Sequence, residues 1–248
     1  MSLVSALIIL FATLLTSFIS GIFGMAGGLI LMGVLAALVS VAMAMIIHGV
    51  IQMIANGYRA FLHKEAINWR VMRVYTAGAA LGVAALFFVS WVPDKQALYL
   101  LLGLTPLLIW LPKERFHLDI LRPGHTLLAG FAVQGLNTLA GVAGPLLDLF
   151  FVRAEMTRHQ IVATKSATQC LSHLIKVGFW GVPVVHAAGW QALPPLWLFV
   201  VAIPLSMTGT WLGSLVLHRM TDVNFRQWMK GLVTAIGCVF LLRAAGLF

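Results

Sequence analysis

The run Gly21-Ile-Phe-Gly-Met-Ala-Gly-Gly28 cuts a long apolar stretch in two, and Gly141-Val-Ala-Gly-Pro145 cuts a second one in the same way. Apolar Leu3 to Ser20 precedes the first run and Leu29 to Val39 follows it. Thr126 to Ala140 and Leu146 to Val152 flank the second. A membrane helix satisfies its own backbone groups, so an interruption at membrane depth must be buried in protein or line a wet cavity. Matching interruptions in two hydrophobic halves point to discontinuous helices around a site. Freed N–H groups at the start of a half-helix can hold an anion. The competing reading is close helix packing, because small-xxx-small spacing also fits Gly24 and Gly28. A dinucleotide-binding reading fails, since no strand or acidic partner frames the glycines.

The rest of the chain fits a bilayer. Of 248 residues, 61% are hydrophobic and 9% charged, with mean hydropathy +0.99. A soluble domain carries about 25% charged residues, so an ordinary cytosolic enzyme, a nucleic-acid binder and a disordered chain are excluded. The net charge of +9 sits in short loops between apolar runs, as in membrane proteins. Further spans are expected at Met43–Leu62, Val71–Trp91, Ala97–Leu111, Ile161–Trp180, Leu196–Leu217 and Gln227–Leu242, with a loop at Pro183–Pro195. Cys170 and Cys238 both lie in apolar segments; a disulfide between them is open, and no CxxC pair suggests a metal. No basic stretch precedes the first apolar run, so no cleavable signal is expected.

The two halves are in register. An offset of 117 places Gly24, Ala26 and Gly27 on Gly141, Ala143 and Gly144, and without a gap it places Gln52 on Gln169. The expected fold is therefore an all-α polytopic membrane protein of two four-segment repeats, each beginning with a glycine-broken or re-entrant helix pair. The boundaries are 1–111, a connecting loop at 112–124, and 125–248. One arrangement has eight crossings and parallel repeats. The other makes each broken segment a hairpin returning to its own side, which inverts the repeats. Inversion gathers the loops Arg59–Arg73, Lys113–Arg122, Arg153–Arg158 and Arg219–Arg226 on one side and leaves Lys95, Lys176 and Arg243 opposite. That is the stronger positive-inside bias, so inverted repeats with both termini outside are expected.

Polar residues inside the apolar spans mark the site. His48, Gln52 and Asn56 are four apart and share one helical stripe; Lys165, Gln169 and His173 repeat that spacing on the matched helix. A charge at mid-bilayer costs about 2.5–3.5 kcal/mol on insertion scales and usually marks a pathway. A structural ion pair with Asp148 is the competing reading of Lys165, and the two readings coexist where substrate replaces the pair. With one lysine, two imidazoles, amides and hydroxyls against one carboxylate, such a site prefers anions. A titrating histidine would permit proton coupling. Arg59 and Lys176, also matched, are expected to snorkel to the headgroups. Trp69, Trp91, Trp110, Trp180, Trp190, Trp197 and Trp228 read as interfacial anchors, and mid-span Trp211 as packed against a neighbouring helix.

The glycine run Gly24-Met-Ala-Gly-Gly28, its echo at Gly141–Pro145 and the polar helix Ala163-Thr-Lys-Ser-Ala-Thr-Gln169 together resemble the TauE/SafE sulfite exporter family of membrane permeases. The resemblance covers nearly the whole chain. It implies a multi-pass permease of two related halves that moves sulfite, organosulfonates or other small sulfur-containing or carboxylate anions. The expected substrate site comprises His48, Gln52, Asn56, Lys165, Gln169 and His173 with Gly24, Gly27, Gly28, Gly141 and Gly144, and Asp148 for coupling or ion pairing. No metal or cofactor is expected. The expected partners are a small anion and the lipid bilayer, with self-association into a homo-oligomer left open, and the expected location is a bacterial inner membrane. A passive anion channel is the alternative. An intramembrane enzyme is disfavoured, because HExxH and GxSxG are both missing.

Overall fold

The computed structural model describes residues 1–23, 25–88, 92–111, 117–217, 219 and 222–247. Gly24 and Trp91, both singled out from the sequence, lie outside the described residues. The described chain contains ten α-helices and no strand: α1 (Leu3–Phe23), α2 (Met25–Leu38), α3 (Val41–Leu62), α4 (Trp69–Leu86), α5 (Lys95–Leu104), α6 (Pro123–Ala140), α7 (Gly144–Phe151), α8 (Arg158–Ala188), α9 (Leu196–Leu217) and α10 (Asp222–Ala244). A 3-10 turn, Thr105–Trp110, extends α5. Helices α1, α3, α8 and α9 are long and apolar enough to cross a membrane on length and composition. Large apolar side chains such as Phe11, Phe88, Leu196 and Val200 face outward, which suits a lipid-facing surface. The chain is an all-helical integral membrane protein on these grounds.

Local chemistry sets the helix ends. Ser40, Asn68 and Asp94 cap α3, α4 and α5 by accepting from backbone N–H groups of the first turn. Thr157 and Gln160 form a reciprocal capping box at the start of α8. Gly141 (φ 79°) ends α6 in the left-handed region that favours glycine.

Glycines also set the packing. Helices α1 and α9 run in the same direction at close range, with Gly209 against the Leu14 carbonyl and Gly213 against that of Phe18. Helices α4 and α6 do likewise through Gly78 on Leu127 and Gly82 on Phe131. Small residues allow such backbone approach, and dispersion then holds helices that have no hydrophobic drive to associate in lipid. The central pair, α3 and α8, runs in opposite directions: Gly49 meets Val177 and Gly57 meets Cys170. Helices α5 and α10 are also antiparallel, with Gln96 bonded to the Ala244 carbonyl and Trp110 to Thr234.

Several expectations are corrected. Helix α8 does not stop at Trp180 but continues through Pro183 to Ala188, so 183–188 is helix, not loop. Proline removes one donor and costs a rung of the ladder, which this long helix tolerates. Cys170 and Cys238, whose pairing the sequence leaves open, are free thiols. Trp180 is no interfacial anchor: it is buried and its Nε1–H donates to the Thr138 carbonyl (2.9 Å). Trp211 points outward instead of packing inward. Trp69, Trp110, Trp190, Trp197 and Trp228 are all exposed.

Candidate anion-binding site

A cavity of about 360 Å³ lies between the end of α1, the start of α2, α7 and the α3/α8 pair. From α3 it takes His48, Gln52, Asn56 and Arg59; from α8, Lys165, Gln169 and His173; from α7, Gly144 and Asp148; from α2, Gly28. The four-residue spacing explains the convergence. Each helix presents one stripe, and the antiparallel crossing turns both stripes toward the same space. Arg59 stands near the end of α3 and Ile161 near the start of α8, so the cavity reaches outward at that end of the pair.

Lys165 is ion-paired with Asp148, and both side chains are partly exposed to the cavity. Gln169 Nε2 and His173 Nδ1 are buried without a hydrogen-bond partner. An unsatisfied buried polar group costs about 1–3 kcal/mol, and both residues line the cavity. On the facing helix, Asn56 is engaged locally, donating to the Gln52 carbonyl (2.9 Å).

Below these groups the cavity ends in a network that the sequence did not disclose. Lys176 does not snorkel; it is 0% exposed. Its Nζ lies 2.8 Å from the Gly141 carbonyl and 2.8 Å from His48 Nδ1. With Nδ1 accepting from the lysine, His48 Nε2 carries the proton and donates to the Gly28 carbonyl (3.0 Å). One lysine and one imidazole thus tie the backbone at Gly28 to that at Gly141. His173 stacks edge-on against His48, with ring centroids 5.5 Å apart. Tyr75, buried on α4, bonds Ser172 (2.8 Å) and braces α8 from behind.

The expected glycines separate into two kinds. Gly28 and Gly144 line the cavity. A Cβ on Gly28 would stand 3.5 Å from Gln52 Nε2 and 3.7 Å from His48 Nε2. Gly27 turns away from the cavity, and a Cβ there would strike the Thr16 carbonyl and Ser20 of α1; its small size serves packing. Gly141 also lies off the cavity and contributes its carbonyl to Lys176. Arg59, expected at the headgroups, lines the cavity instead.

A buried amide pair on α6 is not legible from helix-face spacing. Gln134 and Asn137 are both 0% exposed, and Gln134 donates to Thr138 Oγ1 (3.0 Å). Position 137 lies 117 after Ser20, a cavity residue, and that offset was the available signal.

The described helices thus enclose a cavity lined by two cationic side chains, Arg59 and Lys165, and one carboxylate, Asp148. The chain belongs to the sulfite exporter TauE/SafE family, whose match spans residues 9–240. That family comprises transporters, not enzymes. No curated protein and no solved structure matches the chain.

Proposed function

We propose that the chain is a secondary transporter of small oxyanions, sulfite and organosulfonates first among them, with the anion held between α3, α7 and α8. The observation that carries this reading is Lys165, paired with Asp148 on the wall of a cavity otherwise supplied with donors. An arriving oxyanion displaces Asp148 from Lys165, with Arg59 attracting it at the mouth. The unpartnered Gln169 Nε2 and one N–H of His173 complete the shell. The absent Cβ at Gly28 and Gly144 leaves the room. Gly24, at the matched place to Gly141, is assigned to the same interruption by register alone.

Inverted repeats over 1–111 and 125–248, joined by 112–124, are supported by helix directions. An exchange of halves pairs α3 with α8 and α5 with α10. Both pairs are antiparallel, as a two-fold axis across them requires; an axis along them would leave them parallel. The same exchange turns the α1/α9 contact into the α6/α4 contact. Gly209 on Leu14 becomes Gly82 on Phe131, and Phe131 follows Leu14 by the same 117 positions as the glycine runs. Short α2 and α7, of 14 and 8 residues, reach about 21 and 12 Å at 1.5 Å per residue. Neither spans a core of about 30 Å, which favours re-entrant segments and both termini outside. A bacterial inner membrane is the expected location of such a multi-pass protein.

A carrier is favoured over a channel because the cavity stops at the Lys176–His48 network. His48 and His173, at that floor, are the groups suited to carry a coupled proton. One chain supplies the whole site, so the reading needs no homo-oligomer.

The test is counterflow in proteoliposomes with sulfite, thiosulfate, sulfoacetate, taurine and small carboxylates. Saturable exchange of sulfite or a sulfonate is expected. Exchange of none of the panel, or a flux that never saturates, defeats the reading.

A further inference from the structure

Three residues that line the open cavity have counterparts beside the buried network beneath it. An advance of 117 positions carries Ser20, Asn56 and Arg59, which line the cavity, onto Asn137, His173 and Lys176. His173 faces the open cavity already. Asn137 and Lys176 do not, and both are 0% exposed. Asn137 has no hydrogen-bond partner on either side-chain atom, and His173 Nδ1 has none. Lys176 is held by a carbonyl and an imidazole, not by a carboxylate. Groups so costly to bury are poor glue for a bundle that small residues already pack closely. In a membrane interior such groups mark a path.

We infer that Asn137, His173 and Lys176 form a second oxyanion site, the closed counterpart of the open cavity, which opens to the opposite face of the membrane. This rests on the inverted-repeat transport reading and adds the residues of the half that is shut. When that half opens, Lys176 releases the Gly141 carbonyl and His48 and stands toward the anion as Arg59 stands in the open half. The amide N–H groups of Asn137, the Lys176 ammonium and one tautomer of His173 are all donors. The ligand class is therefore a small oxyanion such as sulfite or a sulfonate. The Trp180–Thr138 hydrogen bond clamps α6 to α8 beside this site in the closed form.

The test uses single cysteines in a chain whose Cys170 and Cys238 are replaced by serine. Ser20→Cys and Asn137→Cys are each reacted with an impermeant maleimide in intact cells and in inverted vesicles. Ser20→Cys is expected to react from one face and Asn137→Cys from the other, with methanesulfonate slowing the second reaction. Thr138→Cys, the next position in the closed half, is read in parallel to guard against a variant that fails to insert. Reaction of Asn137→Cys and Thr138→Cys from the same face as Ser20→Cys, or from neither face, overturns the inference. Sulfite counterflow is measured separately. Exchange with both sites unreachable removes the second site and leaves transport standing. Two-faced labelling without exchange upholds the second site and removes the sulfite reading.

Discussion

The two ends of the α3/α8 pair carry matched residues in opposite circumstances. At one end Arg59 and Lys165 border an accessible cavity, and Lys165 has a carboxylate partner in Asp148. At the other, Lys176 and His48 are buried and satisfied by each other and by the carbonyls of Gly141 and Gly28. The same kinds of side chain do different work because Arg59 and Lys165 are open to the cavity and Lys176 is sealed from it. A carboxylate can be exchanged for a substrate anion at low cost, since charge is replaced by like charge. Backbone carbonyls are fixed parts of the fold, so a lysine bound to them acts as a latch between two interruptions.

The sharpest break in that comparison is steric. Gly28→Leu places a side chain against Gln52 and His48 and is expected to abolish transport while the protein still purifies folded, checked by proteoliposome exchange and thermal melting. Gly27→Leu, one residue earlier, is expected to reduce folded yield instead, because it strikes the backbone of α1. If Gly28→Leu folds and transports normally, the cavity is not the path.

A second contrast separates the open cavity from its closed counterpart. Lys176→Met removes the buried amine at similar volume and leaves His48 Nδ1 and the Gly141 carbonyl without their partner, at a stability cost of about 1–3 kcal/mol for each orphaned group. It is expected to leave anion affinity at the open cavity, which Lys176 does not line, within about threefold, well under the 1.4 kcal/mol that makes a factor of ten, and to stop transport because the closed half loses its cation. Binding titration and counterflow on the same preparation read both.

A smaller effect with a definite sign is expected at Asp148. If its carboxylate competes with substrate for Lys165, Asp148→Asn tightens anion binding by about three- to tenfold, up to about 1.4 kcal/mol. Weaker binding in that variant would make Asp148 a necessary part of the site and not a competitor. The smallest effect is at Trp180→Phe. Loss of its hydrogen bond to the Thr138 carbonyl should cost about 0.5–1.5 kcal/mol of stability, seen as a modest fall in Tm with binding unchanged.

Much of this was legible because polar residues are conspicuous in an apolar helix. The spacing of four at His48, Gln52 and Asn56, and again at Lys165, Gln169 and His173, identified helix faces without tertiary information. Asp148 was the natural partner for Lys165 because carboxylates are so rare in this chain. Lys176 was misread for a physical reason. Pro183 suggested that the helix ended near Trp180, which would have put Lys176 close to the headgroups. The helix in fact runs on to Ala188 and leaves Lys176 well inside. Gln134 and Asn137 escaped notice because α6 otherwise reads as an ordinary apolar span, and their meaning comes from register with α1. Gly27 and Gly28 are indistinguishable in sequence; only the helix rotation decides which one faces the cavity.

In the proposed transport cycle the oxyanion binds at Lys165. Calorimetric titration of sulfite into purified wild-type protein and into Lys165→Gln tests it most directly. The wild type is expected to bind one anion per chain, and the variant, with an unchanged melting profile, to bind about ten- to a hundredfold more weakly, as loss of a charged hydrogen bond of about 1.5–3 kcal/mol requires. Wild-type affinity in a folded Lys165→Gln protein would contradict it.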